Sequence, residues 1–307
     1  MLREKGYEVD VNPKPKDLSK GKLISILKKK QYDAVLSLLT NKIDKEVYEA
    51  APSVKIFSNY ATGFDNIDLA EAKARGIAIA NSPAPKTPES VAEHAIGLMF
   101  ALAKRIPEGD RFTRAGKYKG WVPLLFLGSD VLGQTFGVVG TGRIGGRVAE
   151  MAHAMGMKVI YTDVKRNEEL EQKCEAEYFK TVDELLPNAD FVSLHVPLLP
   201  STKHLINEKN LRLMKPTAFI INTSRGPVID EGALALALEQ KVIAGAGLDV
   251  YEFEPKINPA LKKMESTVLT PHIASADTLV RNQMAEIAAQ NIIDFFEGRT
   301  PKYAVNS

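Results

Sequence analysis

Short apolar runs rich in valine and isoleucine alternate along the whole chain with stretches of helical periodicity, the pattern of parallel sheet assembled from strand-helix-strand units. An α/β fold is therefore expected. In the first part, residues 7–11, 33–39, 54–60 and 77–81 read as strands, with helices over 18–29, 45–51 and 69–75. A longer helix follows, with Thr87 as its expected N-cap, Pro88 at the first helical position, and Val91, Ala95, Ile96 and Met99 at helical spacing. A second series of strands spans 135–140, 158–163, 191–196, 218–222 and 244–250, and a final helical pattern covers 279–296. The proline-rich turn at 83–86 marks a boundary. Three segments follow from these patterns: 1–85, 86–277, and 278–307 crossing back to the first.

Composition supports this division, because 307 residues exceed the size at which one core usually keeps growing. A hydrophobic fraction of 45% and a charged fraction of 25% are ordinary for a globular chain and argue against disorder or a fibrous repeat. The net charge is only +2, and the tight basic run Lys28, Lys29, Lys30 lies in a helical stretch where a solvated face explains it. No nucleic-acid partner is expected. A lone cysteine, Cys174, cannot form an intrachain disulfide, and no charged segment followed by an apolar one opens the chain. A cytoplasmic protein is the expectation. The strongly apolar stretches, such as Ala218 to Ile221, fall far short of the roughly 20 residues that span a bilayer, so no membrane segment is expected. No metal is expected either.

Candidate chemistry begins at Gly140-Thr141-Gly142-Arg143-Ile144-Gly145, which follows an apolar strand and precedes a helical pattern. In such a turn the first glycine permits the bend, the second lets backbone approach a pyrophosphate, and the third allows close packing of helix on strand. The phosphate would sit at the positive helix N-terminus. Asp163 closes the next strand, 18 residues after Gly145, where a carboxylate can accept hydrogen bonds from ribose hydroxyls. This favours NAD(H) over NADP(H), although Lys165 and Arg166 nearby could soften the exclusion.

Three further segments combine polar residues with strand ends: Asn222-Thr223-Ser224-Arg225-Gly226, Gly247 through Asp249 and Glu254 to Pro255, and Thr270-Pro271-His272-Ile273-Ala274. Ligands of open α/β sheets bind at such carboxyl ends. Singly, an arginine in an ion pair, a glutamate on a turn and a histidine at a helix cap are all ordinary. Together with the glycine turn, with Ser193-Leu194-His195-Val196-Pro197-Leu198, and with Tyr60 through Thr62 and Gly63 to Asn66, they resemble the D-isomer-specific 2-hydroxyacid dehydrogenase family over nearly the whole chain. The stretch Trp121-Val122-Pro123 leading to Leu127-Gly128 most resembles its glyoxylate and hydroxypyruvate reductase branch.

The resemblance implies two open parallel-sheet domains. One is a Rossmann-type NAD-binding domain over 86–277, with a dimerisation arm. The other is a smaller, discontinuous flavodoxin-like substrate domain, with the active site between them. It implies that Arg225 binds the carboxylate and carbonyl of a small 2-keto acid, that His272 exchanges the proton, and that Glu254 pairs with His272. A cationic arginine and a protonated histidine would stabilise and then neutralise the charge that hydride transfer leaves on oxygen. Cofactor contacts would come from Gly140, Gly142, Arg143, Ile144, Gly145, Asp163, His195, Pro197, Thr223 and Asp249, the last holding the nicotinamide carboxamide. Substrate contacts would come from Thr62, Gly63, Arg225 and His272, with Trp121 reaching the pocket of a homodimer partner. His94, His153 and His204 read as structural.

One departure is plain: such chains usually open on a strand, whereas Met1 to Glu4 reads as the helix that follows it. A 3-phosphoglycerate dehydrogenase would carry the same triad. An NAD-sensing corepressor-like scaffold with little turnover is the reading from another class.

Overall fold

The computed structural model describes residues 1–13 and 17–306. The chain divides into two compact units, Met1–Thr87 together with the chain from Asp277 on, and Pro88–Ala276. The first unit begins with helix α1 (Lys20–Leu27), strand β1 (Ala34–Leu38), α2 (Lys45–Ala50), β2 (Ile56–Tyr60), α3 (Leu69–Ala74) and β3 (Ala78–Ala80). Side chains cap two of these helices: Ser19 accepts from the Lys22 amide at 3.4 Å, and Asp68 from the Glu71 amide at 3.0 Å. The strands form a parallel sheet in the order β1-β2-β3. Central β2 is buried from Ile56 to Asn59, as expected of a parallel strand covered on both faces.

Residues 7–11 do not form the expected strand. Among the described residues β1 is the outer strand of the sheet, and residues 7–11 do not pair with it. The polar residues of the segment find side-chain partners instead: Lys30 donates to Glu8 at 2.6 Å and to Asp10 at 3.1 Å, and the Tyr32 hydroxyl donates to Asp10 at 3.0 Å. The helix read at Met1 to Glu4 is a single 3-10 turn over Arg3–Lys5.

The second unit is built on α4 (Thr87–Ala103), α5 (Ile106–Arg114), β4 (Thr135–Val139), α6 (Arg143–Ala154), β5 (Lys158–Thr162), α7 (Glu168–Cys174), β6 (Glu177–Tyr178) and α8 (Val182–Leu185). It continues through β7 (Phe191–Leu194), α9 (Glu208–Leu211), β8 (Phe219–Asn222), α10 (Glu231–Glu239), β9 (Gly245–Leu248) and β10 (Thr267–Leu269). Thr87 is the first residue of α4 rather than its cap, and its buried Oγ1 has no partner among the described residues. All seven strands run parallel in the order β10-β9-β8-β7-β4-β5-β6. Residues on successive positions of β4, β7 and β8 face opposite layers. Val139, Leu194 and Ile220 pack with Leu234 and Leu238 of α10, while Val138, Phe191 and Ile221 pack with Met99 of α4 and Val148 of α6. Chain direction across the sheet reverses between β4 and β7, which creates a crevice at their carboxyl ends.

The last helix, α11 (Thr278–Phe296), belongs to the first unit and covers its sheet. Ser58 Oγ donates to the Ala288 carbonyl at 2.8 Å, and Asn291 Nδ2 donates to the Asn81 carbonyl at 2.8 Å, so these buried side chains are paired. Among the described residues, no helix is long and apolar enough to cross a membrane, and no cluster of three metal-ligating side chains exists.

Candidate active site

The crevice between β4 and β7 is shaped by the glycine turn. Gly140 adopts φ +89°, and its amide donates to the Thr162 carbonyl at 2.9 Å, tying the turn to β5. A Cβ at Gly145 would stand 1.8 Å from the Gly140 carbonyl oxygen, so only glycine lets α6 start so close to the strand end. A Cβ at Gly142, by contrast, would meet nothing within 4 Å. The space it would enter is the space a pyrophosphate needs, and no side chain caps the first-turn amides of α6, which Arg143 and Ile144 open. The residues present therefore fit a dinucleotide.

Asp163, just after β5, folds its carboxylate over this turn. It accepts from the Thr141 amide at 2.6 Å, the Thr141 hydroxyl at 3.0 Å and the Val164 amide at 2.6 Å. From the other side of the crevice, the His195 amide donates to the Val139 carbonyl at 2.8 Å, and His195 Nε2 lies 2.8 Å from Ser193 Oγ. Burial pushes the His195 imidazole down to about 3, so it stays neutral near pH 7. Pro197 is exposed, its carbonyl accepting from the Thr202 hydroxyl at 2.6 Å. The buried Thr223 Oγ1 has no partner among the described residues, which leaves a hydrogen-bonding group at the end of β8.

Arg225 follows on the same turn. Asn222 shapes it, donating through Nδ2 to the Arg225 carbonyl at 2.9 Å and accepting from the Ser224 amide at 3.0 Å. A Cβ on the next residue, Gly226, would lie 1.9 Å from the Tyr251 carbonyl carbon, so the loops after β8 and β9 touch backbone to backbone. The second loop carries Glu254. Its Oε1 accepts from the Tyr251 amide at 3.0 Å, and its Oε2 lies 3.0 Å from His272 Nδ1. His272 itself sits at φ +55°, a left-handed conformation uncommon outside glycine. It is held there by its amide, which donates to the Asp249 carbonyl at 2.9 Å and the Thr270 carbonyl at 3.1 Å.

Asp249 sits at the end of β9, below the His272 loop. Its carboxylate is fully buried and accepts from Thr270 Oγ1 at 2.6 Å and from the Ile273 and Ala274 amides at 2.8 Å each. Burial alone would raise its pKa, but hydrogen bonds from His94, Thr270 and the two amides hold it below the usual carboxylate range. The anion thus fixes the loop that presents His272. Two residues of α4 brace the same loop: Ser90 Oγ donates to the Ala274 carbonyl at 2.9 Å, and His94 Nε2 lies 3.0 Å from Thr270 Oγ1. Sequence reasoning read His94 as structural without naming the loop it braces and singled out Ser90 for nothing, although their i, i+4 spacing puts two polar groups on one side of a largely apolar helix. His204 pairs with a different carboxylate of the same loop, Glu252, at 2.7 Å.

Residues 96–274 match the family described as D-isomer specific 2-hydroxyacid dehydrogenase, NAD binding domain. The glyoxylate reductase of Thermococcus litoralis is 48% identical over 99% of this chain and 92% of its own. The chain belongs to this family. Among solved structures, a protein of Thermus thermophilus superposes with a TM-score of 0.91 at 38% identity, covering 99% of this chain and 94% of that one. An NADPH-dependent glyoxylate/hydroxypyruvate reductase of Sinorhizobium meliloti, solved with NADP and malonate, gives 0.82 at 32% identity over 89% of this chain and 83% of that one. The dehydrogenase chain thus shares its architecture with relatives of both substrate and cofactor interest.

Two expected substrate residues, Thr62 and Gly63, belong to the first unit. Asn81 Nδ2 donates to the Thr62 carbonyl at 2.6 Å and Asn59 Nδ2 to the Gly63 carbonyl at 3.1 Å, which fixes the peptide planes of that loop. Trp121 joins no core cluster and is 82% exposed.

Proposed function

We propose that this dehydrogenase reduces a small 2-keto acid, glyoxylate or hydroxypyruvate, to the corresponding D-2-hydroxy acid with NADH. The observation that carries the reading is the His272–Glu254 pair, with Arg225 on the neighbouring loop after β8, at the same carboxyl end of the sheet as a turn that fits a dinucleotide. When bound, the nicotinamide supplies the hydride. Arg225 neutralises the substrate carboxylate and polarises its carbonyl, a task suited to a planar and permanently charged fork. With Nδ1 turned to Glu254, His272 has Nε2 left to give a proton to the carbonyl oxygen. Asp249 acts in this reading by holding the His272 loop. Thr62 and Gly63 keep their substrate assignment from the family resemblance. The names of the relatives at 43–49% identity favour glyoxylate over a phosphorylated substrate.

The test is turnover of purified protein on glyoxylate, hydroxypyruvate, pyruvate and phosphohydroxypyruvate, each with NADH and NADPH. Glyoxylate or hydroxypyruvate should lead. The carboxylate of Asp163 should make NADH better by at least about tenfold in kcat/KM, worth ~1.4 kcal/mol, and Asp163→Ser should narrow that gap. Binding of NADH without turnover on any keto acid would instead support a sensing scaffold. A lead for phosphohydroxypyruvate would point to the phosphoglycerate reading.

The same reading includes a homodimer working in the cytoplasm. Tyr118, Trp121, Val122, Leu124 and Leu127 form an exposed apolar run, 54–82% accessible, of the kind that a partner covers. Light scattering should give about twice the monomer mass of 33.7 kDa at micromolar concentration; the monomer mass would remove the dimer from the reading.

A further inference from the structure

Discrimination between NADH and NADPH is settled around the adenosine ribose, and the segment after Asp163 adds charges of its own there. Lys165 and Arg166 stand two and three residues beyond Asp163. A 2′-phosphate placed near Asp163 would need a counter-charge, and a guanidinium is well suited to supply one through paired N–H donors. Arg166 is already engaged. Its Nε donates to Glu171 Oε1 at 2.7 Å and its Nη2 donates to Oε2 at 2.8 Å, a bidentate pair.

Glu171 is the anchored member of that pair, with its side chain 18% exposed against 62% for Arg166. The Tyr161 hydroxyl donates to Glu171 Oε1 at 2.6 Å, and the same hydroxyl oxygen accepts the Asn167 amide at 2.7 Å. Asn167 Nδ2 then donates to the Thr141 carbonyl at 3.2 Å, inside the glycine turn. An unbroken series of hydrogen bonds therefore leads from the dinucleotide turn through Asn167 and Tyr161 to Glu171. The segment carrying Arg166 is pinned beside that turn while its guanidinium is drawn onto α7.

We propose that Glu171 is a positioning residue that sets cofactor specificity: by clamping Arg166 it withholds the cation a ribose 2′-phosphate would recruit, and so reinforces the exclusion exerted by Asp163. The proposal rests on the reading that NADH is the preferred cofactor. Because the pair is partly exposed, the clamp is a modest contribution beside that of Asp163.

Affinities for NADH and NADPH, measured by fluorescence titration without substrate, test it in the parent, Glu171→Gln, Arg166→Gln and the double variant. Glutamine keeps an oxygen acceptor for the Tyr161 hydroxyl, and a melting curve checks the fold. Glu171→Gln should tighten NADPH by about three- to tenfold and change NADH by less than about twofold, with the gain shrinking in high salt. Adding Arg166→Gln should abolish the gain. Arg166→Gln alone, which leaves Glu171 and Tyr161 untouched, should barely change either affinity. An unchanged NADPH-to-NADH ratio in Glu171→Gln overturns the clamp, as does a gain that survives loss of Arg166 or a marked loss of NADPH affinity in Arg166→Gln alone. The parent's own ratio reports separately on NADH preference: equal affinities there would refute that reading, whereas the clamp is scored by the change between proteins.

Discussion

Gly145→Ala is expected to weaken NADH binding at least about a hundredfold, or ~2.7 kcal/mol, and to lower the melting temperature as well. The added Cβ would stand 1.8 Å from the Gly140 carbonyl oxygen and 3.1 Å from the His195 Cβ. Neither neighbour can give way cheaply. Gly140 is tied to Thr162 across β5, and its own Cβ direction already points to within 2.8 Å of the His195 carbonyl oxygen. The start of α6 must shift instead, at an overpacking cost of about 1–3 kcal/mol or more, and its free amides shift with it. Gly142→Ala provides the contrast, because a Cβ there meets no atom within 4 Å. That variant should melt like the parent yet bind NADH poorly, since the methyl group enters the space left for phosphate. Parent-like NADH affinity and melting in Gly145→Ala would show that the turn is not as tight as its geometry implies.

The contrast also marks what could be read in advance. A glycine turn is a local constraint on a few consecutive residues, so its function is visible in the sequence together with the strand and helix that flank it. The central buried strands were legible for a similar reason: in a parallel sheet covered on both faces, β4, β7 and β8 are buried almost throughout and mostly apolar. By the same logic β6, of two residues, is too short to carry a pattern. Residues 7–11 carry a pattern yet join no sheet, their acidic side chains engaging Lys30 and Tyr32 instead.

At the site, the identities of Arg225, Glu254 and His272 came from resemblance, while their support did not. Nothing in the local sequence around Asp249 says that its carboxylate turns inward to three donors of the 270–274 segment. That outcome depends on β9 and β10 lying side by side and on α4 delivering Ser90 and His94 to the same loop. The partner of Arg166 was equally hidden. Its charge near the ribose was evident, but the carboxylate that neutralises it comes from the next helix, at a spacing that no strand or helix period singles out.

His272→Ala is expected to lower kcat/KM for glyoxylate reduction by about a hundredfold to ten-thousandfold, the usual worth of a positioned general acid, while leaving NADH affinity nearly unchanged. The geometry around the ring assigns the work to one atom. Nδ1 faces Glu254 Oε2 at 3.0 Å, and the backbone of His272 is fixed by two carbonyls and a left-handed φ, so Nε2 is the nitrogen available for proton exchange. Glu254 is itself oriented by the Tyr251 amide on its other oxygen. In Glu254→Gln that amide keeps an acceptor, but the group facing Nδ1 becomes a neutral amide that cannot balance an imidazolium. A loss of about ten- to a thousandfold in kcat with little change in KM is the expected result, because the missing interaction matters most when His272 carries its proton. If Glu254 acts only through His272, the two losses cannot multiply: His272→Ala/Glu254→Gln should be about as slow as His272→Ala alone. Kinetics of the parent, both single variants and the double variant on glyoxylate, with hydride transfer established as the slow step, decide the matter. A double variant slower by the product of the two single losses would mean that Glu254 reaches the reaction by another route, and the assignment of the pair as one acid-base unit would have to be withdrawn.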